Sequence, residues 1–167
     1  HPANLCFAGD RLSLVASETG MLGYAAERSR QFVDQALTRV RTIPGVESVA
    51  LATFVPFSLN FSQWDVWVAG HERPNGRGDI INTTRVSPDY FTTIGVPIVE
   101  GRSFTEADGP DTPRVAVINE TMARLSWPGE TAIGKTFHGR AANGPRYRVV
   151  GIAAAPKVRP VTDEPPP

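Results

Sequence analysis

Residues 115–137 read VAVINETMARLSWPGETAIGKTF, and their pattern decides the fold. Val115-Ala116-Val117-Ile118 is a short apolar run, the mark of a buried strand. Asn119 follows it, and Glu120 opens the next segment. An Asn side chain accepts from the free amides of a first helical turn, and an acidic residue there faces the positive end of the helix dipole. A two-turn helix through Leu125 is therefore expected, ended by Trp127-Pro128-Gly129. After a tight loop, Thr136-Phe137-His138 starts another strand. It pairs with residues 146–150 as a hairpin around Ala142-Asn143-Gly144. Short strands joined by a short helix and tight turns are the local picture of this stretch.

The same stretch tests a nucleotide reading. Gly129 through Thr136, GETAIGKT, fits the phosphate-loop pattern letter for letter. In a nucleotide site that loop follows a buried strand and opens a helix, whose amides cradle the phosphates. Here a helix ending in Trp127-Pro128 comes before it, and a strand-like Phe137-His138-Gly139 comes after. The context favours a tight loop with Ile133 packed inward and Lys135 exposed.

Working outward, residues 11–16 alternate as a half-buried strand. Residues 25–43 have helical period, with Phe32, Ala36, Val40 and Ile43 in one stripe that Val33 and Leu37 widen. Pro44-Gly45 ends that helix, and residues 46–53 read as the next strand. Strand, helix and strand with short connections predict a right-handed βαβ crossover. Residues 55–63 read as a loop, residues 64–69 alternate as a strand, residues 70–79 are a turn, and residues 80–86 are a strand. Ser87-Pro88-Asp89 should cap a short helix that turns Tyr90, Phe91 and Ile94 inward and closes at Gly95. A short extended piece over residues 97–99 and an acidic turn over residues 105–109 complete the middle of the chain.

Composition sets the outer bounds. The 167 residues suit one domain or two small lobes. Lys plus Arg and Asp plus Glu are 17 each, so there is no bulk attraction to nucleic acid or anionic lipid. A hydrophobic share of 41% is enough for a core, and 15 Gly with 15 Pro promise many turns. The single cysteine, Cys6, excludes an internal disulfide. No run approaches a membrane span. The chain opens on His1 and closes on three prolines, which suggests a piece of a longer gene product.

Candidate chemistry is sparse. His1, His71 and His138 have no ligand spacing, so no metal site is expected. Asp89 and Glu120 are explained as helix-start residues, and Glu106 with Asp108 as a solvated acidic turn. Arg77-Gly78-Asp79 and the sequons at Asn60, Asn82 and Asn119 are short spellings without supporting context. No catalytic or cofactor-binding residue stands out. The aromatic segment does: Phe54, Phe57, Phe61, Trp64 and Trp67 fall close together. Core packing accounts for some of them. Phe57, Phe61, Trp64 and Trp67 are the candidate partner contacts, because exposed loop aromatics mark contact surfaces.

Taken together, these stretches resemble the MacB-like periplasmic core domain of FtsX-like ABC-transporter permeases, in the branch of duplicated orphan permeases. The resemblance rests on residues 32–56 (FVDQALTRVRTIPGVESVALATFVP), 85–104 (RVSPDYFTTIGVPIVEGRSF), 115–137, and 147–167 (YRVVGIAAAPKVRPVTDEPPP). It covers residues 25–167, with the first strand matched loosely. The second and third stretches are its most specific part. The resemblance implies an α+β fold of two small lobes, a porter-like βαβ lobe and a small Sabre-like α/β lobe. Residues 9–100 are expected in the first and 101–155 in the second, in an arrangement that need not be continuous, with a Pro-rich tail at 156–167. It places the domain on the extracytoplasmic face of the inner membrane, inserted between transmembrane helices. It implies no cofactor, no enzymatic activity and no nucleic-acid partner. Its expected partners are the permease's own transmembrane helices, a second permease copy or a periplasmic adaptor, and a separate ATPase. The chain stops before a strand usual in the family, which would leave a sheet edge open to homodimerisation. Two alternatives stand beside this reading: a module that captures a peptide, lipid or drug between its lobes, and a nucleotide-binding enzyme built on the Gly129 loop.

Overall fold

The computed structural model describes residues 12–13, 26–53, 62–70, 76–109 and 111–155. All of the expected strand over residues 11–16 except residues 12–13, together with Cys6, most of the aromatic loop and the Pro-rich tail, lies outside the described residues.

Helix α1, Ala26–Arg41, forms where the helical period runs, and Gly45 follows it at φ +89°. Arg39 and Arg41 sit in its last turn, where the helix dipole favours cations. The apolar stripe is narrower than its sequence pattern. Val33, Ala36, Leu37 and Val40 are half-buried, whereas Phe32 and Ile43 at its edges are 52% and 53% exposed. Polar contacts tie this region to the rest of the domain. Arg41 pairs with Asp89 at 3.2 Å, and the Ser48 and Thr93 hydroxyls meet at 2.5 Å.

The strand expected over residues 46–53 does not form. Among the described residues, its one ladder contact is the antiparallel bridge of Ala52 with Val86. The Leu51 amide donates instead to Oγ of Ser87 at 2.9 Å, so a side chain takes a place that a neighbouring strand would fill. Strand propensity without a paired neighbour is not enough to make a strand. The βαβ crossover is therefore absent from the described residues. The same bond explains why Ser87 does not cap the short helix α2, Tyr90–Thr93. Asp89 precedes α2 without a side-chain cap bond, and its carboxylate goes to Arg41. Tyr90 and Ile94 are buried as expected, and Phe91 is half-buried.

The six strands among the described residues are β1 (Ser62–Trp67), β2 (Asp79–Thr83), β3 (Ile98–Gly101), β4 (Val115–Asn119), β5 (Thr136–Gly139) and β6 (Arg146–Ala153). Among the described residues they form one sheet in the order β2-β1-β5-β6-β3, with β4 also on β6. β6 is its hub. β5 pairs antiparallel with the start of β6, from Thr136 opposite Arg148 to His138 opposite Arg146. β3 pairs antiparallel with its end, Gly101 opposite Gly151. β4 runs parallel to β6 from Arg148 to Ala153 and so takes the other edge. The parallel pair is connected through α3 (Glu120–Ser126) and β5.

The stretch 115–137 folds as its pattern predicts. Oδ1 of Asn119 accepts from the Met122 amide at 2.8 Å, capping α3. The helix stops at Trp127, and Gly129 turns the chain at φ +78°. Trp127 and Ala132 carry the loop into the core, where they join Val66, Ile118, Phe137, Val149 and Ile152. Burying side chains of this size contributes about 1.5–3 kcal/mol each. β1 alternates as predicted, with Val66 buried in the core face, and buried Val68 follows it. The β1–β5 and β3–β6 pairs carry the sheet across residue 100.

Candidate functional site

Strand registers sort the side chains into two faces. Phe137 is opposite Tyr147, and Gly139 is opposite Val66. These positions share the core face with Trp64. Part of that face is covered by α3 and the Trp127 loop. The rest opens into a groove of about 1930 Å³. Trp64, Phe137 and Tyr147 line one part of it, and Tyr90, Phe91 and Phe104 another.

The aromatic side chains pack on one another. Tyr147 stacks on Phe137 with centroids 5.5 Å apart and tilts against Trp64 at 5.6 Å. The Arg140 guanidinium lies over the Trp64 ring, 4.6 Å from its centroid. Arg140 reaches there from a left-handed backbone position, φ +73°, in the β5–β6 connection, and its amide donates to the Asp65 backbone carbonyl at 2.8 Å. Phe91 stacks on Phe104 at 6.1 Å and meets Tyr90 edge-on at 5.3 Å. Burial pushes the Tyr90 phenol above its ordinary value. The charged lining residues are unequal. Asp108 is held by Arg102, and Asp79 also has a partner. Arg85, Arg114 and Arg140 line the same groove without an ion pair among the described residues. The groove can thus receive an apolar body beside an anionic group.

The four candidate contact residues do not form one surface. Trp64 lines the groove. Trp67 belongs to the opposite face, where its Nε1 donates to the Gly76 carbonyl at 3.4 Å. The two alternate along one strand and therefore point apart. Phe57 and Phe61 lie outside the described residues. The groove's other aromatics and its arginines were not among the sequence candidates. They come from segments far apart in the chain, and no spacing links them.

The remaining motifs resolve locally. The Gly129–Thr136 loop follows α3 and leads into β5, the reverse of a phosphate loop's setting. Its Lys135 bonds Glu130 at 2.5 Å, which holds the Glu130 carboxyl below its ordinary range. Ala132 is its most buried residue, and Ile133 is half-buried. The acidic turn is not simply solvated. Arg102 grips both carboxylate oxygens of Asp108 at 2.7 and 2.8 Å, and the Thr105 amide adds a third bond at 2.8 Å. These contacts hold the Asp108 carboxyl far below the usual carboxylate range. His138 donates from Nδ1 to the Gly144 carbonyl at 2.8 Å. Among the described residues no group of three His, Cys, Asp or Glu side chains could hold a metal ion, and no helix is long and apolar enough to cross a membrane.

Comparison with known proteins places this geometry. The family model described as "MacB-like periplasmic core domain" matches residues 7–164. The chain is 36% identical over 67 residues to the uncharacterized ABC transporter permease YvrN of Bacillus subtilis (strain 168), covering 40% of this chain and 16% of that protein. It is 24% identical over 128 residues to the macrolide export ATP-binding/permease protein MacB of Sodalis glossinidius (strain morsitans), covering 75% of this chain and 19% of that protein. The matched part is thus less than a fifth of either relative. In fold, the chain is similar to the periplasmic region of MacB from Actinobacillus actinomycetemcomitans. The TM-score is 0.54 at 21% identity, covering 73% of this chain and 50% of that one. It is also similar to the extracellular domain of the noncanonic ABC-type transporter YknZ from Gram-positive bacteria, with a TM-score of 0.51 at 17% identity, covering 72% and 56%.

Proposed function

The chain belongs to the MacB-like periplasmic core domain family, and from that premise we propose that it is the extracytoplasmic domain of an ABC-transporter permease that transmits ATP-driven motion to partners outside the membrane. The domain does no chemistry of its own. Transmembrane segments and an ATPase elsewhere in the transporter drive it, and a second permease copy or a periplasmic adaptor receives the motion. It works on the outer face of the cell inner membrane. Two lobes remain part of this reading, porter-like and Sabre-like. Strands on both sides of residue 100 share one sheet, which supports reading the lobes as discontinuous in sequence rather than divided at that residue.

The way the chain leaves the sheet carries the reading. β6 is hydrogen-bonded to three strands. Just beyond it, the Ala154 amide donates to the Pro97 carbonyl at 3.0 Å, and the Ala155 amide donates to Glu120 at 2.9 Å. A pull or twist applied after Ala155 is therefore passed at once to β3, β4, β5 and α3. A flexible link at this point would dissipate it.

The test uses a complete permease carrying this domain, reconstituted with its ATPase. A short Gly-Ser insertion after Ala155 is expected to leave ATP hydrolysis intact and to abolish transport. Transport at the unmodified rate would overturn the proposal, as would ATP or phosphate-ester turnover by the domain alone.

The groove supports a second reading, capture of an amphipathic peptide, lipid or drug. Its aromatic lining, and arginines that have no ion pair among the described residues, favour that use. Calorimetric titration with a fatty acid checks it. Saturable binding that Tyr147→Ala weakens supports capture, and no heat of binding rejects it.

A further inference from the structure

The sheet has a second face, away from the groove. Directly opposed residues of neighbouring strands share a face. Trp67 of β1, His138 of β5 and Arg146 of β6 therefore stand side by side on it. Two residues along, Thr136 stands beside Arg148, and Val115 of β4 lies on the far side of Arg148. Strands are about 4.8 Å apart, and same-face side chains repeat every ~6.8 Å along a strand. An indole, an imidazole and two guanidiniums thus occupy a patch on the order of 10 Å across.

This patch is built unlike its surroundings. Arg146 and Arg148 are exposed, and neither has an ion pair among the described residues. Asp65 is the one carboxylate that the β1–β2 and β5–β6 registers place on this face. Beside Asp65 stands Ile80, 61% exposed. The chain as a whole carries no net charge, so the local excess of cations is a matter of placement. The Nδ1 bond of His138 and the Nε1 bond of Trp67 hold both rings in place. Arg and Trp are the side chains that most often dominate protein interfaces, and guanidinium meets carboxylate through paired hydrogen bonds.

We infer that this face docks an acidic segment of a partner protein, with Arg146 and Arg148 receiving its carboxylates and Trp67 and Ile80 supplying apolar contact. Opposite charge selects the partner and speeds encounter. The inference does not depend on force transmission or on the groove's arginines; of its four contact residues only Ile80 also lines the groove.

The test is a titration of the 167-residue chain with a decaglutamate peptide at low salt, followed by amide and indole NMR signals. Shifts are expected at Trp67, His138, Arg146 and Arg148, and they should fade as salt is raised. Arg146→Glu with Arg148→Glu should weaken the response at least tenfold, and the milder pair Arg146→Gln with Arg148→Gln should weaken it by less. Arg85→Glu with Arg114→Glu, in the groove, should leave it unchanged. An unaltered far-ultraviolet spectrum establishes that each variant is folded. Shifts that are absent, or that follow Arg85 and Arg114 instead, overturn the proposal. So does a response to phosphatidylglycerol bicelles without one to the peptide, which would make the face a membrane surface.

Discussion

Gly101 and Gly151 face each other across β3 and β6, and neither has room for a side chain. A Cβ on Gly151 would overlap the Arg102 carbonyl oxygen, and one on Gly101 would overlap the Val150 carbonyl oxygen. The obstacle is backbone in both cases. Gly101 also has φ +75°, while Gly129 and Gly134 have positive φ but open space around the missing Cβ. Gly151→Ala must therefore push two hydrogen-bonded strands apart. It is expected to cost at least about 2 kcal/mol, whereas Gly129→Ala should cost about 1 kcal/mol from backbone strain alone. Urea unfolding of the two variants checks the order.

Asp108 is the most strongly held acid among the described residues. Its side chain is only 9% exposed and takes three bonds from Arg102 and the Thr105 amide. Its carboxyl is held well below its ordinary 3.8 in the folded state. The folded protein therefore favours the ionised form, and this contribution is full above the unfolded value. It declines as pH falls below about 4 and continues to fall toward the folded value. Asp108→Asn should cost about 1–3 kcal/mol at neutral pH. The gap between wild type and variant should narrow in denaturation curves taken at pH 3. A gap that does not change with pH would show that the charge is not what matters.

Arg140 combines a cost and a gain at one residue. Its backbone is left-handed, and its guanidinium covers Trp64. Arg140→Ala keeps the strained backbone and loses the ring contact, a cost of about 1 kcal/mol. Arg140→Gly loses the same contact but relieves roughly as much strain, so it should be close to neutral. Thermal unfolding of both variants distinguishes the two contributions. Equal destabilisation would mean that the φ value carries no strain.

Asn119 caps α3 through a single bond to the Met122 amide. Asn119→Ala should cost about 1 kcal/mol, and Asn119→Ser or Asn119→Asp should restore most of it. The measure is again the unfolding midpoint. The same bond engages the Asn119 side chain, which places that sequon at a structural position.

Much of the fold was legible locally. The Asn119 cap, the stop at Trp127-Pro128-Gly129, the hairpin of β5 with β6 and the alternation in β1 were all correctly predicted. Each rests on residues a few positions apart. The misses have a common physical cause. Residues 46–53 look like a strand, but among the described residues they bridge only through Ala52 and have Ser87 in place of a fuller ladder. Ser87 looks like a cap, and its hydroxyl is used elsewhere. In α1 the periodic stripe includes Phe32 and Ile43, yet burial depends on what packs against the helix, which helical period does not state.

Local patterns along the chain were enough to place the cap and stop of α3, the loop character of Gly129–Thr136 and the β5–β6 hairpin, and the family resemblance supplied the α+β class. Periodicity, capping and turn chemistry act over short distances, so they can be read along the chain. Which side chains meet depends on long-range strand pairing. Strand registers bring Trp64 to Tyr147 and Arg140 in the groove, and set Trp67 beside His138 and Arg146 on the opposite face. A shift of one residue in any of these pairings would exchange the two faces. That choice is made by the packing of the whole sheet around β6, and no local stretch encodes it.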